Sequence, residues 1–143
     1  HAEAREKLGQ LKRWCFISTA TARVLGWADD GEELNLLRLL RDTYMQQTPE
    51  RRAEVAEYYR IAPEIVRRID AETDSRSVYR MLCRRYILPA AQAIREGDYG
   101  TAHRLYRDMV RLLSARYLAG EDGAGTLCRG MAEQRLKQAR GAK

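Results

Sequence analysis

Cys15, Ser18 and Thr19 are the side chains whose types and spacing most invite chemistry. On a helix, Ser18 and Thr19 share the face of Cys15, because residues three and four apart are neighbours there. A hydroxyl can donate to a thiolate, and a helix N-terminus lowers a thiol pKa, so the trio has the makings of a reactive cysteine. A packing reading stands beside this and is favoured. In it Cys15 is a small hydrophobe in a tight helix contact, and Ser18 and Thr19 bond to their own backbone. A cysteine nucleophile needs a base. The only internal histidine, His103, lies far along the chain on an amphipathic stretch, where a surface or boundary position is the ordinary one.

Arg41-Asp42, with Arg38 one turn earlier, is the second candidate. The pair can orient a ligand or anchor a neighbouring helix. Buried charges persist only when paired, so a buried structural ion pair is favoured. Tyr58-Tyr59-Arg60 could stack on bases. Adjacent helical residues point about a hundred degrees apart, so at most one tyrosine should face a single site. Core packing with an exposed hydroxyl is the expectation for both. Asp42 is expected to share a polar network with Tyr58 or Tyr59 under the Cys15 segment. Arg67-Arg68 and Arg84-Arg85 read as helix-surface charge. A catalytic cluster would therefore comprise Cys15, Thr19, Arg41, Asp42 and Tyr58. A polar pocket joining Cys15, Arg41, Asp42 and Tyr58 would favour an enzyme, and a sealed core would nearly remove that reading. No glycine-rich phosphate loop, paired-histidine metal motif or Gly-x-Ser-x-Gly elbow occurs.

These side chains need a scaffold, and composition says which kind. The 143 residues are 45% hydrophobic, enough for one core. Good helix formers dominate, and prolines are few. Basic residues number 26 against 20 acidic, a net charge of +6, which invites a nucleic-acid partner without favouring one. Three widely spaced cysteines without a CxxC argue against a disulfide framework or a zinc site and fit a reducing compartment. No cofactor or metal is expected. No apolar run reaches the ~20 residues of a membrane span, and the charged N-terminus lacks a signal-peptide core. A cytoplasmic protein is expected, or one delivered from the cytoplasm as part of a larger chain.

Apolar periodicity predicts an all-α bundle of about five to seven helices joined by short connections. Residues 1–13 read as a helical lead-in, 14–118 as the packed domain, and 119–143 as a glycine-rich loop with a basic end. The segment around Ile17 reads as a buried helix stopped by Gly26. Glu32 to Gln46 reads as one helix built on Leu36, Leu37, Leu40 and Tyr44. Thr48 should cap the next helix, with Pro49 in its first position. Pro63 should kink or end it. Residues 72–76 read as linker, with Ser77 as a cap. Pro89 should interrupt the helix that follows. Asp98 should cap a last helix carrying Leu105, Met109, Leu112 and Leu113. The stretch from Ile94 to Tyr99 with Ala102 and Tyr106 resembles one tetratricopeptide unit. No second copy occurs at a fixed period, so it reads as a local helical hairpin.

Cys15-Phe16-Ile17, Thr19-Ala20, Leu37 to Tyr44 and Tyr58 to Val66, in that order, resemble the CFI-box domain family, named for its Cys-Phe-Ile signature. The likeness covers residues 14–69 and, more loosely, extends to about Leu118. Ser18 and Leu40 depart from the family's usual Ala and Phe. The resemblance implies a helical accessory module, often at the C-termini of bacterial and archaeal proteins, without an established activity. It gives Cys15 no catalytic role.

Three functions are thus expected in order. The first is an accessory module presenting a helical surface or groove to a protein partner, or to its own copy as a homo-oligomer. The second is a cysteine-dependent enzyme or toxin-like effector centred on Cys15. The third is nucleic-acid binding through a basic surface, which predicts affinity that falls steeply with salt.

Overall fold

The computed structural model describes residues 16–28 and 31–119. Every regular element described is helical, as the apolar period predicts. The elements are α1 (Phe16–Leu25), α2 (Glu32–Asp42), a 3₁₀ turn (Tyr44–Gln46), α3 (Pro49–Asp70), α4 (Ser75–Leu82), a π-helical turn (Cys83–Ile87), α5 (Leu88–Arg95) and α6 (Tyr99–Tyr117). The π-turn joins α4 to α5 without a break, so together they form one long rod.

α1 is the central rod. It buries every residue from Ile17 to Ala22, and a helix covered on all sides belongs to the core. It packs on α3 and α4, while α2 packs on α5, and α3 and α5 both pack on α6. The α5–α6 pair is the hairpin expected from its sequence. α1 stops at Gly26, whose φ of +78° is left-handed backbone that glycine adopts without strain.

Two predicted caps form. The Thr48 hydroxyl accepts from the Arg51 N–H, with Pro49 in the first turn. The Asp98 carboxylate accepts from the Thr101 N–H. Other boundaries differ from expectation. α2 ends at Asp42, not Gln46, because the Thr43 hydroxyl turns back to the Leu39 carbonyl at 2.6 Å and competes with further winding. α4 begins at Ser75, not Ser77, with Asp74 at its N-cap and the Asp74 carbonyl already accepting from the Ser77 N–H.

Pro63 does not end α3, which runs unbroken for 22 residues. A helix-interior proline costs about 3 kcal/mol. Around it Ile61, Ala62, Ile65 and Ile69 are buried, and each large apolar side chain returns about 1.5–3 kcal/mol. Burial therefore wins. Pro89 does not interrupt the rod either; just before it the helix widens into the π-turn, in which the Leu88 N–H reaches back five residues to the Cys83 carbonyl. Among the described residues, no helix is long and apolar enough to cross a membrane.

Candidate functional site

A cleft of about 90 Å³ opens between α2, the 3₁₀ turn, α3 and α6. α2 and the turn give it an apolar floor through Leu37, Leu40 and Met45, and α2 also lends Arg41. α3 lines it with Glu54, Val55, Tyr58 and Tyr59. α6 lines it with His103, Tyr106, Arg107, Val110 and Arg111. The α6 residues fall at i, i+3, i+4, i+7 and i+8, one continuous helical face. The Met109 and Leu113 stripe of the same helix turns into the core instead.

Tyrosine hydroxyls tie the back of the cleft together. The Tyr58 hydroxyl accepts from the Ile17 N–H at 3.0 Å, satisfying a donor in the first turn of α1. It also lies 2.8 Å from the Tyr106 hydroxyl, which in turn lies 2.9 Å from the Ser18 hydroxyl. Ser18 therefore does not turn only to its own backbone, as its packing reading assumed. Thr21 does, donating to the Ile17 carbonyl at 2.7 Å. Tyr59 packs edge-on against Phe16, and its hydroxyl accepts from Arg41 at 2.6 Å.

Arg41 grips Asp42 through Nε and Nη2 at 2.8 and 3.2 Å. The expected buried ion pair is only half buried. The Arg41 side chain is 13% exposed and Asp42 is 59% exposed. Asp42 thus joins a Tyr59 network, through Arg41 rather than directly. Both Tyr58 and Tyr59 line the cleft, against the expectation of one. The cleft is broad enough to meet two large rings on neighbouring edges of α3, and their hydroxyls bond inward.

Deeper in, Glu54 is shared between two partners on α6. Its Oε2 lies 2.6 Å from His103 Nε2, and its Oε1 accepts from Arg107 at 2.8 Å. Arg107 also approaches His103 Nε2 at 3.1 Å. One ring nitrogen cannot donate to the carboxylate and accept from the guanidinium together. The shorter contact to an ionised oxygen decides in favour of donation to Glu54. Burial disfavours the Glu54 charge, but the His103 and Arg107 hydrogen bonds outweigh it and hold the carboxyl below its ordinary range.

Of the sequence candidates, Arg41 and Tyr58 line this cleft. Asp42 stands just outside it, and Thr19 is buried in α1 away from the lining. Cys15 lies outside the described residues. His103, expected at a surface or boundary position, sits at the boundary, about nine-tenths buried beside Glu54. Glu54, Arg107 and Arg111 were not candidates at all. For Arg107 and Arg111 the signal is the face of α6 that they share with His103 at i, i+4 and i+8, which the adjacent leucine stripe hides; Glu54, alone on α3, has no such signal. The lining holds three guanidiniums against one carboxylate, and no Cys, Ser or Thr. Cys83 is buried elsewhere, and burial foremost pushes its thiol up, away from reactivity. Among the described residues, no group of three His, Cys, Asp or Glu could hold a metal. The arrangement is suited to holding an apolar group next to an anion. Compared with protein-family models, curated proteins and solved structures, the chain matches none.

Proposed function

We propose that this chain is a helical accessory module that works by binding a protein partner, and that the partner engages the cleft between α2, α3 and α6. One observation carries the reading: an open, apolar-floored cavity lined also by three arginines, one histidine and one glutamate, with no hydroxyl or thiol nucleophile besides tyrosine. Clefts with apolar walls and a few converging polar groups are where ligands bind. The same role is what the CFI-box resemblance implies.

The test fills or recharges the cleft. Val55→Trp occupies the cavity, and Arg111→Glu reverses charge at its edge without adding bulk. Quantitative affinity capture from the producing cells should recover a protein with the unaltered chain and lose it with both variants. Arg52→Ala, outside the lining, should retain it. If no captured protein depends on the cleft, and sedimentation finds only monomer, the proposal fails.

A further inference from the structure

The chemistry of what the cleft holds can be read one step further, resting on the binding role just proposed. Arg107 and Arg111 are one turn apart on α6, and both line the cavity. The Nε of each is buried, and neither has a hydrogen-bond partner among the described residues. A buried donor left unpaired is costly, more so on a charged group, so in native proteins such a donor is met by water, an ion or a ligand. Arg107 spends one terminal nitrogen on Glu54. Arg111 makes no ion pair among the described residues. Two guanidiniums on one helical face form a receptor for a carboxylate, which their planar forks match.

The neighbours of these arginines set the other half of the ligand. Val55, Tyr106 and Val110 are apolar walls of the same small cavity, so a ligand that fills it presents an apolar group beside its anion. At about 90 Å³ the cavity has room for one side chain, not for the face of a helix. We infer that the cleft captures the C-terminal residue of another polypeptide. The terminal apolar side chain enters the cavity and the α-carboxylate meets Arg111 and Arg107. At a chain end, one Cα bears both groups. At an internal Asp or Glu the apolar side chain belongs to the next residue, which in an extended segment points the opposite way.

The experiment is a nitrogen–proton NMR titration of the full chain with three probes: N-acetyl-Gly-Gly-Leu as the free acid, its C-terminal amide, and 4-methylpentanoate. The free acid should shift cleft resonances saturably and bind at least about tenfold more tightly than the amide, the worth of one good charge-assisted contact. Arg111→Gln should bring acid and amide together, and Arg111→Lys, which keeps charge without the fork, should lose most of the preference. Dispersed spectra establish that both variants are folded, and either one suffices. Equal binding of acid and amide to the unaltered chain, or no cleft shift with either, overturns the inference. So does 4-methylpentanoate binding as tightly as the peptide acid, which would make a free small carboxylate the ligand. Concentration-dependent shifts of the same resonances without any probe would put a second copy there and also overturn it. If Val55→Trp still strips a captured protein while the probes leave the cleft unmoved, the binding role stands and the terminal carboxylate falls.

Discussion

Tyr58 joins three helices through one oxygen. It accepts from Ile17 of α1, sits on α3 and meets the Tyr106 hydroxyl of α6. Removing that oxygen takes the acceptor from the Ile17 N–H in a half-buried setting, while the Tyr106 hydroxyl keeps Ser18. Tyr58→Phe should therefore cost about 1–3 kcal/mol in urea unfolding. Tyr59→Phe should cost less than about 1 kcal/mol, because Arg41 keeps Asp42 and the ring keeps its packing on Phe16. Equal stability of Tyr58→Phe and the unaltered chain would remove the hydroxyl chain as a support. Cys83 offers a second check. Buried, with its thiol pushed up chiefly by desolvation, it should react with iodoacetamide only as fast as the fold opens, in a chain carrying Cys15→Ala and Cys128→Ala. Fast labelling would show the site is open. At this scale the sequence marks Tyr58 and Arg41 by type and neighbourhood. It cannot mark Glu54 with His103, whose contact spans 49 positions and depends on how α3 meets α6.

The helices themselves are more legible, because their signals are local. Thr48 and Asp98 cap donors only three residues ahead, so the pattern along the chain contains the whole interaction. Asp98→Ala should lose about 1 kcal/mol, the usual worth of such a cap, read as a lowered urea midpoint with an unchanged slope. Proline is where local reading misleads. Pro63 has the strongest breaker signal in α3, yet the buried isoleucines on either side hold the helix through it. Because Pro63 is itself exposed, Pro63→Ala should restore a backbone donor without disturbing packing. The expected gain is about 1–3 kcal/mol. A loss instead would mean that the proline-shaped backbone is itself used in packing against α1. The π-turn from Cys83 to Ile87 has no propensity signature. It shifts the phase between α4 and α5, and that need arises only when α5 must meet both α2 and α6.

Across the whole molecule, the helices are linked by ion pairs that set its response to pH. Glu54 ties α3 to His103 and Arg107 of α6, and Glu32 and Glu33 tie α2 to Arg95 of α5. Within α3, Glu57 pairs with Arg60, and Glu64 pairs with Arg67 and Arg68. The carboxyls of Glu32, Glu54, Glu57, Glu64 and Asp98 all lie below their ordinary range, Glu64 at about 2 through its two arginine hydrogen bonds. A carboxyl whose folded pKa is depressed adds stability above its unfolded value and loses it as pH falls through the folded one. Exposed pairs such as Glu64 with Arg67 contribute little, since solvent screens them. Glu54 differs in its partners: His103, on another helix, is 11% exposed, whereas Glu57 meets the 53% exposed Arg60 of its own helix. Stability should thus hold near neutrality and fall between about pH 5 and pH 2. Glu54→Gln should flatten that fall, and Glu57→Gln should not. The alkaline side runs with the opposite sign. Burial foremost, then the Glu72 hydrogen bond, pushes Tyr117 up to about 12, and burial with the Asp70 hydrogen bond raises Tyr79 further. Their contribution is full below the ordinary tyrosine range and lost as pH climbs through the raised values. Ultraviolet difference titration of Tyr79→Phe and Tyr117→Phe should therefore remove only late-titrating absorbance. Early-titrating absorbance lost with Tyr79→Phe would mean that α4 packs more loosely on the end of α3 than the Asp70 contact requires, and with Tyr117→Phe that the end of α6 is looser than the Glu72 contact requires.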